Sequence, residues 1–364
     1  MKPLTNLEEL TPERLTNMLR SEGHLATGRV ESIDVTSSRT IFTSTVAFLD
    51  VTYSSDASAT LPTKLFFKFA YPDHKLGDEM IQRAALNEEA YYRQIAPRTD
   101  PRPSREILDV QVDPNTLQFH LLMVDVSDTH FQYGPGVLPP TRATYEQFFG
   151  LLATFHAQWW DHPDLGGEIG QMPELTNAVY SLNVERIREH VVSFVDLMGE
   201  FLSSTRRDVY ERILDVIPEL RDLKGRRRLT EGGHLTLTHE DAHLGNVFFA
   251  RDPETHDPFL IDWQSLHVHM GTNDLAYTMV LWWYPERRRV AEKPLVEHYY
   301  RTLVKAEVTG YTWEDCWHDY RLSALRMMLK IPLFSAIGLD ERFCYETMER
   351  SFLNFEDLAL EELL

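Results

Sequence analysis

The sequence predicts an α+β protein with a small sheet-bearing amino-terminal part and a larger helical carboxy-terminal part. Short runs rich in β-branched and aromatic residues dominate up to about residue 124. From about residue 145 onward, long segments carry apolar residues at the three- and four-residue spacing of amphipathic helices. At 364 residues the chain is long enough for two substantial cores. We therefore predict two lobes, residues 1–124 and residues 125–364.

The predicted elements of the first lobe are strands around one helix. Residues 43–53 are rich in Thr, Val, Phe and Tyr, and residues 65–69, which read Leu-Phe-Phe-Lys-Phe, are another strand candidate. Two further strands, 107–112 and 117–124, flank a turn that contains proline and asparagine. A helix is predicted over residues 77–95. In the second lobe the predicted helical segments are 145–160, 184–202, 207–217 and most of 294–364.

A lysine lies inside the apolar strand 65–69. Leu65, Phe67 and Phe69 share one face of this strand, and Phe66 and Lys68 share the other. Lys68 is thus a cation in a strand that is apolar on both faces. The ordinary alternative is an edge-strand lysine that extends to water, for which Lys64 is the better example.

A glutamate lies on the apolar stripe of the helix 77–95. Glu88, Tyr92 and Ile95 recur at spacings of four and three, which directs all three inward. Because an inward carboxylate needs a partner, we predict an ion pair between Glu88 and Lys68. Kinases use such a strand-lysine and helix-glutamate pair to orient nucleotide phosphates. The alternative is an exposed helix rim.

The pattern H-x-D-x-x-x-x-N is formed by His239, Asp241 and Asn246, and Asp262 follows sixteen residues later. In the catalytic loop of protein kinases, the aspartate of this pattern receives the proton of the substrate hydroxyl, and the asparagine and a second aspartate hold metal. The short β-type runs 247–250 and 259–261 predict a hairpin with Asn246 and Asp262 at one end, about 5 Å apart at the backbone. Their hard oxygen atoms suit Mg²⁺.

Two other interpretations apply to the same residues. His239, Asp241 and His243, with His267 or His269, could form the zinc or iron site of a metal-dependent oxygenase or hydrolase. That interpretation leaves Asn246 and Asp262 without a role. In the simpler alternative, His239 and His243 have only structural roles and the acidic residues lie on a solvent-exposed loop. We favour it for the histidines, each of which we expect to orient the loop by hydrogen bonds.

Composition limits the partners and the location. A formal net charge of −20 argues against nucleic acid and anionic membranes as partners. No apolar run is long enough to cross a bilayer, and the first residues lack the apolar core of a signal peptide. Two cysteines, Cys316 and Cys344, provide no disulfide framework, which predicts a reducing cytoplasm.

The combined motifs resemble the aminoglycoside phosphotransferase and choline kinase superfamily. The resemblance covers about residues 60–290, and the order of its motifs is specific. The Asp-x-Gln form at Asp262 and the Asp-Leu-Ala-Tyr run from Asp274 are most similar to the ecdysteroid kinase-like branch. The matching segments are residues 121–126, 153–157, 238–247, 261–264, 271–277 and 287–289.

This resemblance implies a bilobal protein kinase-like fold, with a small antiparallel-sheet lobe that binds nucleotide and a large helical lobe that carries the catalytic loop and the acceptor site. It implies that Asp241 is the catalytic aspartate and that Asn246 and Asp262 hold Mg²⁺. Lys68 would contact the phosphates of ATP, with GTP as the open alternative, and Glu88 would keep Lys68 in place. Asp274 would anchor the loop.

The implied activity is transfer of the ATP γ-phosphoryl group to a hydroxyl of a small molecule, an aminoglycoside-, choline- or steroid-type alcohol, by a monomer or homodimer. Residues 282–284, Trp313 and Trp317 offer aromatic surface for the acceptor, with core packing as the alternative. The segment expected over the phosphates, within residues 36–43, contains no glycine. Because of this departure, a pseudokinase that binds nucleotide but has no transfer activity is an alternative function.

Overall fold

The computed structural model describes residues 2–41, 44–70, 78–113, 115–116, 118–134, 141–167, 169, 177–221, 228 and 233–364. The chain forms two compact units. The amino-terminal unit comprises Met1–Arg98, Ser104–Phe131 and Phe249–Gln264. The carboxy-terminal unit comprises Thr99–Pro103, Gln132–Phe248 and Ser265–Leu364. The division into functional lobes at residue 124 stays a prediction.

The amino-terminal unit is built on a five-stranded antiparallel sheet of β1 (Val30–Thr40), β2 (Ser44–Tyr53), β3 (Lys64–Ala70), β4 (Ile107–Asp113) and β5 (Gln118–Val124). The strands lie in the order β1-β2-β3-β5-β4. The strands predicted over 43–53, 65–69, 107–112 and 117–124 correspond to β2 to β5. This sheet, with the helices of the other unit, confirms the predicted α+β class.

The edge strand β1 has no counterpart in the predicted elements. Most of its residues are exposed, so it shows no alternation of apolar and polar side chains. Its pairing with β2, rather than a local pattern, makes it a strand. It includes residues 36–40 of the segment expected to cover the phosphates, and the Ile41 amide donates to the Ser44 carbonyl at 2.8 Å. Residues 42 and 43 lie outside the described residues.

Two helices flank this sheet. The helix α1 (Pro12–Ser21) begins with a Thr11 cap and with proline at its first position, and it buries Leu15, Met18 and Leu19 in the core that includes Phe67. The helix α2 (Asp78–Ala90) continues into a π-helical turn, Tyr91–Ile95, which matches the helix predicted over 77–95.

A second sheet belongs mainly to the amino-terminal unit. Its order is β6 (His130–Phe131), β8 (Val247–Ala250) and β9 (Phe259–Leu260). The two runs predicted to form a hairpin are therefore neighbouring strands. After β9, Trp263 is fully buried and stacks on Tyr91 with ring centroids 3.8 Å apart and planes 5° from parallel. This stack fixes the chain immediately after Asp262 against the end of α2.

Helices predominate among the described residues of the carboxy-terminal unit, and two short strands, β7 (Thr236–Thr238) and β10 (His267–His269), form an antiparallel pair there. The pair aligns Thr238 with His267. The loop that follows β7 therefore starts at the end of the pair where β10 begins, and the helix that follows β10 starts from the opposite end. The helices are α3 (Arg142–Gln158), α4 (Asn177–Met198), α5 (Ser204–Arg221), α6 (Thr272–Trp282), α7 (Pro285–Lys305), α8 (Trp313–Ala336) and α9 (Glu341–Asp357).

Helix α6 is the centre of this unit, because every residue from Thr272 to Leu281 is buried. Helix α8 begins with a capping box between Thr312 and Asp315. Within the described part of the chain, no helix has the length and the apolar character that a bilayer-spanning segment needs. Short 3₁₀ turns occur at Leu7–Glu9, Ala96–Arg98, Gly199–Phe201, Leu244–Asn246, Trp263–Ser265 and Leu360–Leu363.

Candidate active site

The amino-terminal unit brings Lys68, Glu88 and Asp262 together. Lys68 Nζ lies 2.8 Å from Glu88 Oε2, which is the ion pair that the sequence predicts, and 2.6 Å from Asp262 Oδ1. Lys68 and Glu88 are buried, whereas the Asp262 side chain is about one-fifth exposed. A single ammonium therefore links a helix carboxylate to the carboxylate that follows β9.

The charge of Lys68 is stabilised by these two carboxylates. Burial alone disfavours the ammonium form, but Asp262 and Glu88 outweigh it and raise the pKa of Lys68 above its ordinary value. Lys68 therefore stays a cation throughout the physiological range. The backbone of Asp262 has a φ of 66°, which is unusual for a residue with a side chain and occurs often at functional sites.

In the carboxy-terminal unit, Asp241 lies on the loop after β7, and both of its carboxylate oxygens accept hydrogen bonds. The Tyr277 hydroxyl donates to Oδ1 at 2.6 Å. The Asn246 amide nitrogen donates to Oδ2 at 3.0 Å and to the Asp241 carbonyl at 2.9 Å. The carboxylate of Asp241 is thus fixed in one orientation, while the amide oxygen of Asn246 takes no part in these bonds.

Asp274, on the first turn of α6, anchors the same loop. Its two carboxylate oxygens accept the backbone N–H groups of His239 and Glu240 at 2.7 and 2.8 Å. Oδ2 of Asp274, which accepts the His239 N–H, also lies 3.2 Å from Nε2 of His156 on α3, and Nδ1 of that ring lies 2.8 Å from the Tyr299 hydroxyl. The structural role expected for Asp274 is confirmed.

Glu240 has no role in the sequence-based interpretation, yet it is the most heavily bonded side chain of the loop. Its carboxylate is buried and accepts hydrogen bonds from Asn273 at 2.5 Å, from Arg326 at 3.1 Å and from Lys330 at 3.4 Å. Its backbone has a φ of 63°. These hydrogen bonds stabilise the left-handed backbone conformation of Glu240, the residue that directly precedes Asp241.

The Glu240 carboxylate forms ion pairs with two cations, Arg326 and Lys330, and these pairs affect the pKa values of the groups involved. Burial would raise the pKa of Glu240, but Arg326 and Lys330 outweigh burial and hold that pKa well below its usual range. Burial and the neighbouring Arg326 lower the pKa of Lys330, and the attraction of Glu240 only partly compensates.

The two loop histidines differ in role. His243 accepts the Gly245 N–H on its Nδ1 at 3.0 Å, and so orients the loop as expected. His239 contributes its backbone N–H to the Asp274 bond, and its side chain is fully buried. Within the residues that the structure describes, no group of three or more His, Cys, Asp or Glu side chains could hold a metal ion. The zinc or iron alternative therefore has no ligand set in that part of the chain.

Sequence reasoning missed the contributions of Tyr277, Asn273, Arg326 and Lys330. One signal was available, because Tyr277 lies three residues after Asp274 and thus faces the same side of α6. No local pattern marks Arg326 and Lys330, which both lie on α8. The relation of Asn246 to Asp262, which belong to different units, stays a prediction.

Comparison with known families decides the identity of the chain. The model of the ecdysteroid kinase-like family matches residues 40–309. The chain belongs to the ecdysteroid kinase-like family. It is therefore a member of a family of small-molecule kinases, and the resemblance that its motifs indicate is confirmed. A comparison with curated protein sequences finds no match.

Solved structures similar to this member of the ecdysteroid kinase-like family include three small-molecule kinases. The choline kinase LicA from Streptococcus pneumoniae is 14% identical, with a TM-score of 0.49 over 97% of this chain and 99% of that chain. An ethanolamine kinase from Plasmodium vivax is 11% identical, with a TM-score of 0.49 over 89% and 81% of the two chains. The aminoglycoside phosphotransferase APH(4)-Ia, a thermostable mutant with ADP and hygromycin B, is 13% identical, with a TM-score of 0.49 over 94% and 97%.

Proposed function

We propose that this protein transfers the γ-phosphoryl group of ATP to a hydroxyl group of a small-molecule acceptor. The observation that carries the proposal is the Asp241 carboxylate, which Tyr277 and Asn246 hold by one oxygen each on a loop that Asp274 anchors. A carboxylate fixed before substrate binds needs little reorganisation during the reaction. This is the preparation that a proton-accepting or positioning aspartate requires.

Asp241 would receive or align the acceptor hydroxyl. An ionised carboxylate offers about four lone-pair sites, and the two bonds described above use one on each oxygen. The remaining sites can accept the hydrogen bond of the acceptor hydroxyl, which points the oxygen nucleophile at the phosphorus atom. Because the transferred phosphoryl group needs little activation of its nucleophile, alignment is the larger part of this role.

Lys68 would bind the phosphate oxygens. Its charge is stabilised by Glu88 and Asp262, and it lies on the central strand of the five-stranded sheet. Glu88 would act through Lys68 by keeping the ammonium in place. The same pairing of a β-strand lysine with a helix glutamate serves nucleotide phosphates in protein kinases.

Asn246 and Asp262 fit a magnesium ion by their chemistry. Both supply hard oxygen ligands, and Mg²⁺ commonly takes one or two protein oxygens and completes its shell with water and phosphate. Because the amide nitrogen of Asn246 donates both of its hydrogen bonds to Asp241, the amide oxygen of Asn246 would be the atom that binds the metal. When bound, the metal neutralises charge on the phosphate oxygens of the nucleotide. ATP is the proposed donor, with GTP as the alternative.

The acceptor class is supported by the aromatic side chains beside the loop. The rings of His243 and Trp282 lie 5.2 Å apart, and Trp282 lies 5.2 Å from Phe343. Trp283, by contrast, is buried in the core. An aromatic row favours an alcohol with an apolar or a cationic body, such as a steroid-type or choline-type alcohol, with aminoglycosides as the third class.

A cytoplasmic location is supported by Cys316 and Cys344, which are both buried and free. The formal net charge of −20 supports a small-molecule partner rather than nucleic acid or an anionic membrane. We propose that the protein acts as a monomer or a homodimer.

A pseudokinase is the second candidate, because the segment 36–43 lacks the glycine that lets backbone amides approach phosphate. A pseudokinase would bind Mg-ATP without consuming it in the presence of any acceptor. The two candidates therefore differ in one measurable quantity, the rate of ATP consumption.

The test is Mg-ATP consumption by the full chain against a panel of choline, aminoglycosides, macrolides, sugars and steroid alcohols. Acceptor-dependent ADP release is expected, and Asp241→Asn should reduce it by roughly 10²- to 10⁴-fold while ATP binding, measured by calorimetry, persists. Asp252→Asn, at an exposed hairpin turn, is the matched control and should retain the parent rate. ATP binding without consumption would establish the pseudokinase, and an Asp241→Asn variant with the parent rate would refute the catalytic assignment.

A further inference from the structure

The hydroxyl of Tyr277 makes the shortest hydrogen bond described for the Asp241 carboxylate, at 2.6 Å. Tyr277 lies on α6 and is only 5% exposed. Burial, and then the charge of Asp241, raise the pKa of Tyr277 well above its ordinary value. The phenol therefore keeps its proton and acts as a permanent donor to Asp241 Oδ1.

Two donors on two oxygens determine the orientation of the Asp241 carboxylate. The terminal torsion of an aspartate is broad, so an unconstrained carboxylate rotates freely about its Cβ–Cγ bond. Tyr277 at Oδ1 and Asn246 Nδ2 at Oδ2 remove this freedom. His243 Nε2, at 3.7 Å from Oδ1, is too far away for a hydrogen bond and does not replace either donor.

Lys330 holds the ring of Tyr277 from α8. Its ammonium lies 5.6 Å from the centre of the Tyr277 ring, within the range of a cation–π contact, and 3.4 Å from Glu240 Oε2. The charged groups around this pair are Asp241, Glu240, Asp274 and Arg326. Lys330 thus connects the anchored residue Glu240 to the ring whose hydroxyl reaches Asp241.

We propose that Tyr277 and Lys330 are positioning residues of the transfer reaction: Tyr277 fixes the Asp241 carboxylate toward the acceptor hydroxyl, and Lys330 fixes Tyr277. The inference rests on the proposed function and adds to it two residues outside the loop motif. No bond to either residue forms or breaks, and the phenol proton stays on Tyr277. The two residues act through Asp241 and contact no substrate.

The first test is Tyr277→Phe, which removes only the hydroxyl. Turnover of Mg-ATP with an acceptor from the panel should fall by roughly ten- to a hundred-fold in kcat, because a mispositioned group costs rate rather than binding. The KM for Mg-ATP should change by less than about twofold. Tyr320→Phe is the matched control, since its buried hydroxyl also donates to a carboxylate, that of Glu292, at 2.6 Å. It should keep the parent kcat.

The second test uses Lys330→Met, Lys330→Arg and the double variant Tyr277→Phe/Lys330→Met. Lys330→Met should lower kcat by about three- to tenfold, and Lys330→Arg, which retains a cation over the ring, should restore most of it. The double variant should be no slower than Tyr277→Phe alone, because Lys330 acts through the hydroxyl that the first change has removed. A merely structural role would make the two losses multiply.

The outcomes separate this inference from the proposed function. A parent protein that consumes no ATP with any acceptor overturns both. A parent protein that turns over, with Tyr277→Phe at the parent rate or with Tyr320→Phe equally slowed, overturns the positioning role alone. If Tyr277→Phe does not fold, as judged by thermal melting, the rescue of Lys330→Met by Lys330→Arg decides: rescue supports the role, and equal loss in both refutes it.

Discussion

The ammonium of Lys68 lies 2.6 Å from Oδ1 of Asp262, a residue 194 positions later in the chain. This pair joins the central strand β3 to the residue that follows β9. The proposed phosphate-binding cation, Lys68, therefore lies next to Asp262, which is a proposed metal ligand. The proposal that these two side chains serve one triphosphate requires them to lie close together, as they do.

The first prediction concerns the stability that Lys68 contributes. Lys68→Met should destabilise the protein by about 3 kcal/mol, because it leaves the carboxylates of Glu88 and Asp262 side by side without their cation. The free energy of unfolding in urea measures this change. Lys64→Met is the matched control on the same strand, since Lys64 forms an exposed pair with Asp128 at 2.7 Å. Little change is expected for the control, and equal losses in the two variants would contradict the argument.

The second prediction concerns the metal. Asn246→Ala should raise the Mg²⁺ concentration for half-maximal ATP turnover by roughly tenfold or more, because it removes one of the two proposed oxygen ligands. A titration of Mg²⁺ at fixed ATP measures the effect, and removal of the metal with EDTA should abolish turnover in the parent protein. Gln132→Ala serves as the control, since the Gln132 side chain donates to the Gly245 carbonyl at 2.7 Å and has no proposed role at the metal. An unchanged Mg²⁺ requirement in Asn246→Ala would remove this residue from the metal site.

The third prediction follows from the low pKa of Glu240. A carboxyl group whose pKa is lower in the folded protein stabilises the fold fully above its unfolded pKa, near 4.5, and loses this contribution as pH falls toward the folded value. Glu240→Gln should therefore destabilise the protein by about 2 kcal/mol at pH 7, where the charge-assisted bonds from Arg326 and Lys330 are present.

Thermal melting across pH measures this effect. The difference in melting temperature between the parent protein and Glu240→Gln should shrink as pH falls below about 4.5, because protonation of this carboxyl in the unfolded parent chain then favours unfolding. Glu297→Gln, which breaks an exposed helical pair with Arg301, is the control and should show a small difference at every pH. A Glu240→Gln difference that stays constant or grows in acid would be inconsistent with a depressed pKa.

Local sequence was sufficient to predict the elements whose periodicity is strong. The strand around Lys68 and the helix around Glu88 show an apolar pattern that also identifies the two residues as inward-facing and charged. Since buried charges need partners, their ion pair follows from the sequence together with elementary electrostatics. The anchoring role of Asp274 came instead from resemblance to known kinases, and the structure shows the bonds behind it.

Tertiary structure alone decided the features that depend on distant segments. The edge strand β1 exists because β2 pairs with it, and its exposed side chains give no periodic signal. Arg326 and Lys330 reach Glu240 from a helix about 90 residues further along the chain. No local pattern encodes such a contact, because it depends on how α8 packs against α6.

The sequence by itself determined the family, the α+β class and the loop motif with its candidate residues, since these depend on residue type and short-range spacing. The packing of helices around α6 determined how that loop is held: Tyr277 on the Asp241 carboxylate, and Glu240 between two cations. The physical reason is that hydrogen bonds and ion pairs act over a few ångströms. Only the folded chain brings residues from distant segments within that range.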